Sequence, residues 1–178
     1  MLKAEVVQGS NEKIAKDIVL INRHSYPKGW EYPGAKEYYR QMLMNQKNIC
    51  IMLRDDEKRV GFLLAIPHND AVGELKGDDE FMEQDPKTYY IENVAILPGH
   101  RGEKGFSQML GVLRQELRKR SIFVISLHAR VSNNLSKNIQ KNMKIIKVRR
   151  IEAWRYYNYQ EPTDYLEATW PCNSGEKA

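Results

Sequence analysis

The chain has 178 residues, 42% hydrophobic and 29% charged, and carries a net charge of +5 from 28 Lys and Arg against 23 Asp and Glu. That length fits one domain with a core of its own, and the aromatic and β-branched content excludes a disordered, collagen-like or coiled-coil chain. The longest apolar runs, such as Phe62–Ile66, reach only about a quarter of a membrane span. The opening MLKAEVVQGS lacks a signal-peptide core, and the two cysteines, Cys50 and Cys172, make neither a disulfide framework nor a zinc site. The expectation is a cytoplasmic protein that binds no membrane and no metal.

In chain order, Lys3–Gln8 alternates and predicts a first strand. Ser10 and Asn11 suit a helix cap, and Ile14, Ile18 and Ile21 recur at helical spacing to about His24. The segment SYPKGWEYPG reads as a loop, and Ala35–Gln46 as a second helix. Asn48–Arg54 and Val60–Ile66 predict a hairpin across the charged turn Asp55–Arg59. The acidic stretch 68–87 shows no periodicity and reads as a loop or flap. Thr88–Leu97 is a strand ended by Pro98-Gly99, and Phe106, Met109, Leu110, Leu113 and Leu117 mark an amphipathic helix. Ile122–His128 reads as a central strand, followed by a short basic helix with Leu135, Ile139 and Met143 on one face. Ile145–Val148 and Ile151–Tyr159 then close the sheet. Residues 1–160 form the expected domain, and 161–178 a mostly irregular tail from which Tyr165 and Trp170 could pack back. The fold class is α/β, a single-domain mixed sheet flanked by helices.

The stretch that carries chemistry is VAILPGHRGEKGFSQML, residues 94–110. A strand ends at proline, Gly99, Gly102 and Gly105 follow, and a helix begins. Such a turn exposes backbone N–H groups and the positive end of a helix dipole, a seat for a phosphate. His100, Arg101 and Lys104 add cationic donors. The spacing is neither a Walker loop nor GxGxxG.

VAILP at 94–98 followed by HRG resembles the signature of the GCN5-related N-acetyltransferase (GNAT) superfamily. Asn133, Ser136, Ile139, Met143 and Ile145 match a second motif of that family. The resemblance implies the acyl-CoA N-acyltransferase fold, with a mostly antiparallel sheet, and acetyl-CoA as cofactor. It implies that the backbone of Val94, Ala95 and Ile96 pairs with the pantetheine arm. By the same resemblance the turn Arg101, Gly102, Glu103, Lys104, Gly105 and Phe106 holds the pyrophosphate, and Asn133 with Ser136 contacts the arm. Two departures stand out. One more residue than usual separates Arg101 from Gly105, and Gln140 occupies the place where many members carry a tyrosine that protonates the departing thiolate.

The reaction the resemblance implies is direct attack of an amine on the thioester. An amine of pKa about 10.4 needs a base at neutral pH. Glu92, four residues before Ile96, is the candidate, at a position where polyamine acetyltransferases of the superfamily carry a glutamate. The backbone N–H of Ile96 is the candidate oxyanion donor. Tyr90, Tyr156 and Tyr157 are candidates to protonate the thiolate. Tyr26, Trp30 and Tyr32 are the candidates to line the acceptor pocket, and the acidic flap is the expected attraction for a cationic amine, whether a small molecule or a peptide. His128 reads as structural. Many relatives dimerise, so a homodimer is expected as one possible assembly. The competing readings are transfer of a longer acyl group, an acyl-CoA-binding module that has lost catalysis, and a nucleic-acid binder using residues 137–150. The last is disfavoured because its charges interleave with core positions, and no nucleic acid is expected.

Overall fold

The computed structural model describes residues 1–9, 12–26, 34–102, 104–156 and 159–171, with the backbone alone of 155, 156 and 159. Strand β1 (Leu2–Val7) leads into helices α1 (Glu12–Ser25) and α2 (Ala35–Met44), followed by strands β2 (Ile49–Asp55) and β3 (Lys58–Pro67). Helix α3 (His68–Leu75), strand β4 (Thr88–Ile96), helix α4 (Gly105–Lys119) and strand β5 (Val124–Arg130) come next. Helix α5 (Leu135–Asn142) and strands β6 (Lys144–Tyr156) and β7 (Tyr159–Thr169) complete the order. The described strands form one sheet in the order β1-β2-β3-β4-β5-β7-β6. Every pair is antiparallel except β4 with β5.

The sheet is covered on both faces, which is why β2 and β3 read as unbroken apolar runs rather than alternating ones. Ile49, Ile51, Leu53, Leu63 and Ala65 point to one core with Met109, Leu110, Leu113 and Leu117 of α4. Cys50, Met52, Phe62, Leu64 and Ile66 point to the other, with Ile14, Ile18 and Ile21 of α1 and Tyr39 and Leu43 of α2. Burial pushes the Cys50 thiol up to about 12, so it behaves as a small apolar side chain.

Three expectations are corrected. The acidic stretch is not a loop throughout, because its first eight residues form α3, which buries His68, Ala71 and Val72. That spacing is helical, but a histidine, an alanine and a single valine make a faint apolar stripe. The tail is not irregular as far as Thr169 either: β7 lies inside the sheet between β5 and β6, with Leu166 and Ala168 in one core and Tyr165 in the other. Pro162 had argued against a strand there. It lies between Glu161, paired with Trp154, and Thr163, paired with Ile151, where β6 sets two residues against this one. A proline is tolerated at such an irregularity because no ladder bond needs its missing N–H. The two strands expected at 145–148 and 151–159 are, as far as Tyr156, the single strand β6, while Tyr159 opens β7.

Candidate active site

The site arises where the sheet forks. β4 follows β3 in register from Pro67–Tyr89 to Gly61–Ile96, but pairs with β5 only through Thr88, Tyr89 and Tyr90 against Val124, Ile125 and Ser126. Beyond Tyr90 the two strands separate. The β3–β4 register slips at Glu92, which faces no partner residue on β3. A bulge of this kind bends a strand and re-aims its side chains. The Leu97 N–H donates to the Val60 carbonyl at 2.8 Å, and this fixes the parity of the strand end. Ala95 and Leu97 turn their polar backbone groups to β3, while Val94 and Ile96 turn theirs into the fork. Of the three strand residues expected to meet the cofactor arm, Val94 and Ile96 have the orientation for it. Ala95, buried against β3, does not.

A cavity of about 300 Å³ occupies the fork, and Tyr26, Glu92, Val94 and Asn133, four of the residues singled out from sequence, line it together. The Glu92 carboxylate accepts a hydrogen bond from Tyr38 Oη at 2.9 Å. Burial pushes the Glu92 carboxyl up to about 7; the Tyr38 bond counteracts this, and the nearby Glu74 charge adds to it. Glu74 lies at the more exposed rim of the same cavity. Tyr26 Oη donates to Asn93 Oδ1 and to the Val94 carbonyl, both at 2.9 Å. Burial raises Tyr26 to about 12, which keeps it a phenol and a donor. Asn93 Nδ2 in turn donates to Tyr39 Oη at 2.9 Å. These bonds fasten α1 and α2 onto the forked strand.

The turn after β4 places its residues less uniformly. Arg101 donates from Nε to the Ile96 carbonyl at 3.0 Å and from a terminal nitrogen to the Ser25 carbonyl at 2.8 Å, so its guanidinium ties the turn to α1. Gly102 sits at φ +85° and Lys104 at φ +63°, the left-handed region that glycine enters without strain. Glu103 lies outside the described residues. Gly105 and Phe106 open α4, Gly105 buried and Phe106 packed on the core. The first helical bond runs from Gln108 N–H to the Lys104 carbonyl, so the N–H groups of Gly105, Phe106 and Ser107 have no partner within the helix.

Asn133 uses its side chain to accept the Leu135 N–H at 2.9 Å. Ser136 is buried and accepts from Gln140 Nε2 at 3.1 Å. Trp30, Tyr32 and Tyr157 lie outside the described residues, as do the helix-cap candidates Ser10 and Asn11. Of the acids in the stretch 68–87, Glu74 is the one that lines the cavity. Asp79 turns inward to His128 and Arg149, and Asp85 accepts from Thr88 Oγ1 and the Lys87 N–H. Of that stretch, Glu74 and Leu75 reach the cavity. Among the described residues no three or more His, Cys, Asp or Glu stand together as a metal site, and no helix is long and apolar enough to cross a membrane.

Sequence reasoning missed Tyr38, Glu74, Arg130 and Trp154 on the cavity wall. Tyr38 was hidden in a helix face that reads as packing. The signal that marks it is a tyrosine pair, one member of which, Tyr39, is buried while the other is only partly covered.

A family model described as "Acetyltransferase (GNAT) family" matches residues 15–139. The chain belongs to that family. Acetyl-CoA is accordingly its co-substrate. The fold agrees with solved structures across the family. It superposes on the ribosomal-protein-S18-alanine N-acetyltransferase of Escherichia coli with a TM-score of 0.65 at 13% identity, covering 100% of both chains. The aminoglycoside 6'-N-acetyltransferase of Enterococcus faecium gives 0.66 at 14% identity, with 96% of this chain and 99% of that one covered. The PaiA N-acetyltransferase of Thermoplasma acidophilum, solved with coenzyme A, gives 0.65 at 10% identity over the same shares. No curated protein matches the sequence. At such identities the superpositions speak for the acyl-CoA N-acyltransferase fold.

Proposed function

We propose that this family member acetylates a primary amine, by direct attack of the amine on acetyl-CoA, with Glu92 as the general base. The observation that carries the reading is Glu92 itself: a carboxylate at a strand bulge, on the wall of the fork cavity, pushed up to about 7. A base poised near neutrality takes a proton from an ammonium and releases it again. Tyr38 orients the carboxylate, and the partial burial that raises its pKa strengthens its pull on a cation.

The fork fits the pantetheine arm. The polar backbone edge of Val94 and Ile96 is unpaired by β5, and their N–H groups supply the missing ladder. The carbonyls on the same edge are held by Tyr26 and Arg101. The left-handed turn at Gly102 and the N–H groups that open α4 suit the pyrophosphate, and exposed Lys137, Lys141 and Lys144 on and beside α5 suit the remaining phosphate. Acetyl-CoA supplies the activated acyl group. The chain's part is to align it, to offer the Ile96 N–H to the oxyanion, and to remove the amine proton at Glu92. The aromatic cavity wall and the carboxylates of Glu74 and Glu92 favour a cationic acceptor. Amine acceptors also figure in the names of two structural neighbours, the aminoglycoside and the ribosomal-protein-alanine enzymes. A cytoplasmic setting is part of the proposal.

Two readouts test it. Acetyl-CoA at about 100 times Kd is expected to stabilise the chain by about 2.7 kcal/mol, a rise of about 5–10 °C in Tm that ATP does not reproduce. Free-thiol release with a panel of amines then tests turnover. A melting shift without thiol release from any amine would point instead to an acyl-CoA-binding module. No shift with either acetyl-CoA or CoA would remove both readings.

A further inference from the structure

One cavity residue is tied to a buried polar chain that the reaction described above does not use. Tyr90 is the last residue of β4 to pair with β5, so it stands at the apex of the fork, and it lines the cavity. Its Oη lies 2.9 Å from His128 Nδ1. His128 Nε2 lies 3.0 Å from Asp79 Oδ2, and the same Asp79 oxygen takes a hydrogen bond from Arg149. The Asp79 side chain is 0% exposed and that of His128 4%. The imidazole is held flat against Trp154, with ring centroids 4.2 Å apart and planes 22° apart.

These contacts decide where the hydrogens are. Burial alone would raise Asp79, but the bonds from His128 and Arg149 outweigh it and bring its carboxyl to about 2. Asp79 is therefore a carboxylate and can only accept, so His128 Nε2 carries a hydrogen. The charged groups around the imidazole are Asp79 and Arg149, with His68, Tyr90 and Tyr165 as its titratable neighbours. Burial dominates their sum and lowers the His128 pKa, so the ring is neutral at pH 7. A neutral ring with its hydrogen on Nε2 has a bare Nδ1. The hydrogen between Nδ1 and Tyr90 is then the phenol's own, and Tyr90 donates inward to His128. Its oxygen meets any further partner as an acceptor. Without a carboxylate at position 79, the tautomer would be free to reverse and turn Tyr90 into a donor.

We propose that Asp79 and His128 are positioning residues that fix Tyr90 as a hydrogen-bond acceptor for an N–H of the amine substrate. The inference rests on the amine reading above and adds to it. The substrate is an unhindered primary amine, because it offers one N–H to Tyr90 and another to Glu92 and still presents its nitrogen to the thioester. This assigns Tyr90 a role opposite to that of a proton donor to the thiolate.

The test has a spectroscopic arm and a kinetic arm. Long-range nitrogen–proton correlation of the His128 ring in the full chain is expected to show the Nε2–H tautomer at about pH 7–8, with Nδ1 in the range of a hydrogen-bonded acceptor. In Asp79→Asn the tautomer is expected to reverse, because the amide can donate to Nε2. Tyr90→Phe keeps the ring packing and removes only the hydroxyl. It is expected to raise the amine KM and lower kcat/KM about 10- to 100-fold, the loss of one hydrogen bond to a charged group, with the acetyl-CoA KM within about twofold. Asp79→Asn combined with Tyr90→Phe is expected to be no worse for the amine than Tyr90→Phe alone. An Nδ1–H tautomer or an imidazolium in the wild type at pH 7 overturns the proposal. So does a Tyr90→Phe enzyme with wild-type amine kinetics, which leaves the amine reading intact. A wild type that binds acetyl-CoA yet acetylates no amine overturns the amine reading, and this proposal with it.

Discussion

Two acidic side chains near the fork have been driven in opposite directions. Glu92 and Asp79 are both withdrawn from water, yet the Glu92 carboxyl is pushed up to about 7 while Asp79 is brought to about 2. The difference lies in the partners. Glu92 has a neutral phenol, Tyr38, and a like charge, Glu74. Asp79 has a guanidinium and an imidazole N–H. Burial without a cation leaves a carboxylate able to take up a proton, which is what a base requires. Burial with one makes it a fixed charge, which suits an anchor for other side chains.

The comparison can be broken most sharply at Glu92. Glu92→Gln is expected to retain acetyl-CoA binding, seen as an unchanged melting shift, while turnover by thiol release falls about 10²–10⁴-fold. The same substitution sharpens the electrostatic side. A carboxyl raised above its unfolded value of 4.5 favours folding fully below that value and loses the benefit as pH rises through about 7. At pH 8 Glu92→Gln is therefore expected to be more stable than wild type by about 1–3 kcal/mol, with the difference gone near pH 4. Thermal unfolding at the two pH values measures it.

Asp79 is expected to behave in reverse. Asp79→Ala leaves Arg149 and His128 without their carboxylate and is expected to cost about 3–5 kcal/mol, a fall of roughly 6–20 °C in Tm. In the wild type its depressed pKa stabilises the fold above about pH 4, and that stability is lost as pH falls through about 2, worth about 2 kcal/mol in an acid titration.

A smaller effect probes the scaffold. A Cβ at Gly61 would stand 2.9 Å from the Ala95 carbonyl oxygen and 3.4 Å from Ile96 Cα, so Gly61→Ala must push β4 away from β3 beside the fork. We expect a cost of about 1–3 kcal/mol, together with a reduced melting shift with CoA.

The segment from β4 to α4 was legible because its signals are local. Pro98 ends a strand, glycines follow, and Met109, Leu110, Leu113 and Leu117 recur at helical spacing. Glu92 was legible by its distance from Ile96, but its partner Tyr38 stands 54 residues away on a helix that reads as core. Asp79 was not legible at all. Within its own stretch it is one acid among many, and what singles it out, His128 and Arg149, lies 49 and 70 residues downstream. β7 failed for a related reason. Pro162 and the acids Glu161, Asp164 and Glu167 spoil the apolar pattern, while Glu161 and Asp164 are matched by Arg130 and Arg150 on the neighbouring strands. Pairings made across the sheet leave no period in the chain.

The most direct test of the account is the pH dependence of thiol release with a reactive amine, measured for wild type and Glu92→Gln between about pH 5.5 and 9. The account predicts that wild-type kcat/KM rises through an apparent pKa near 7 and that the residual activity of Glu92→Gln lacks that limb. The same limb in both enzymes, at similar rates, would contradict it.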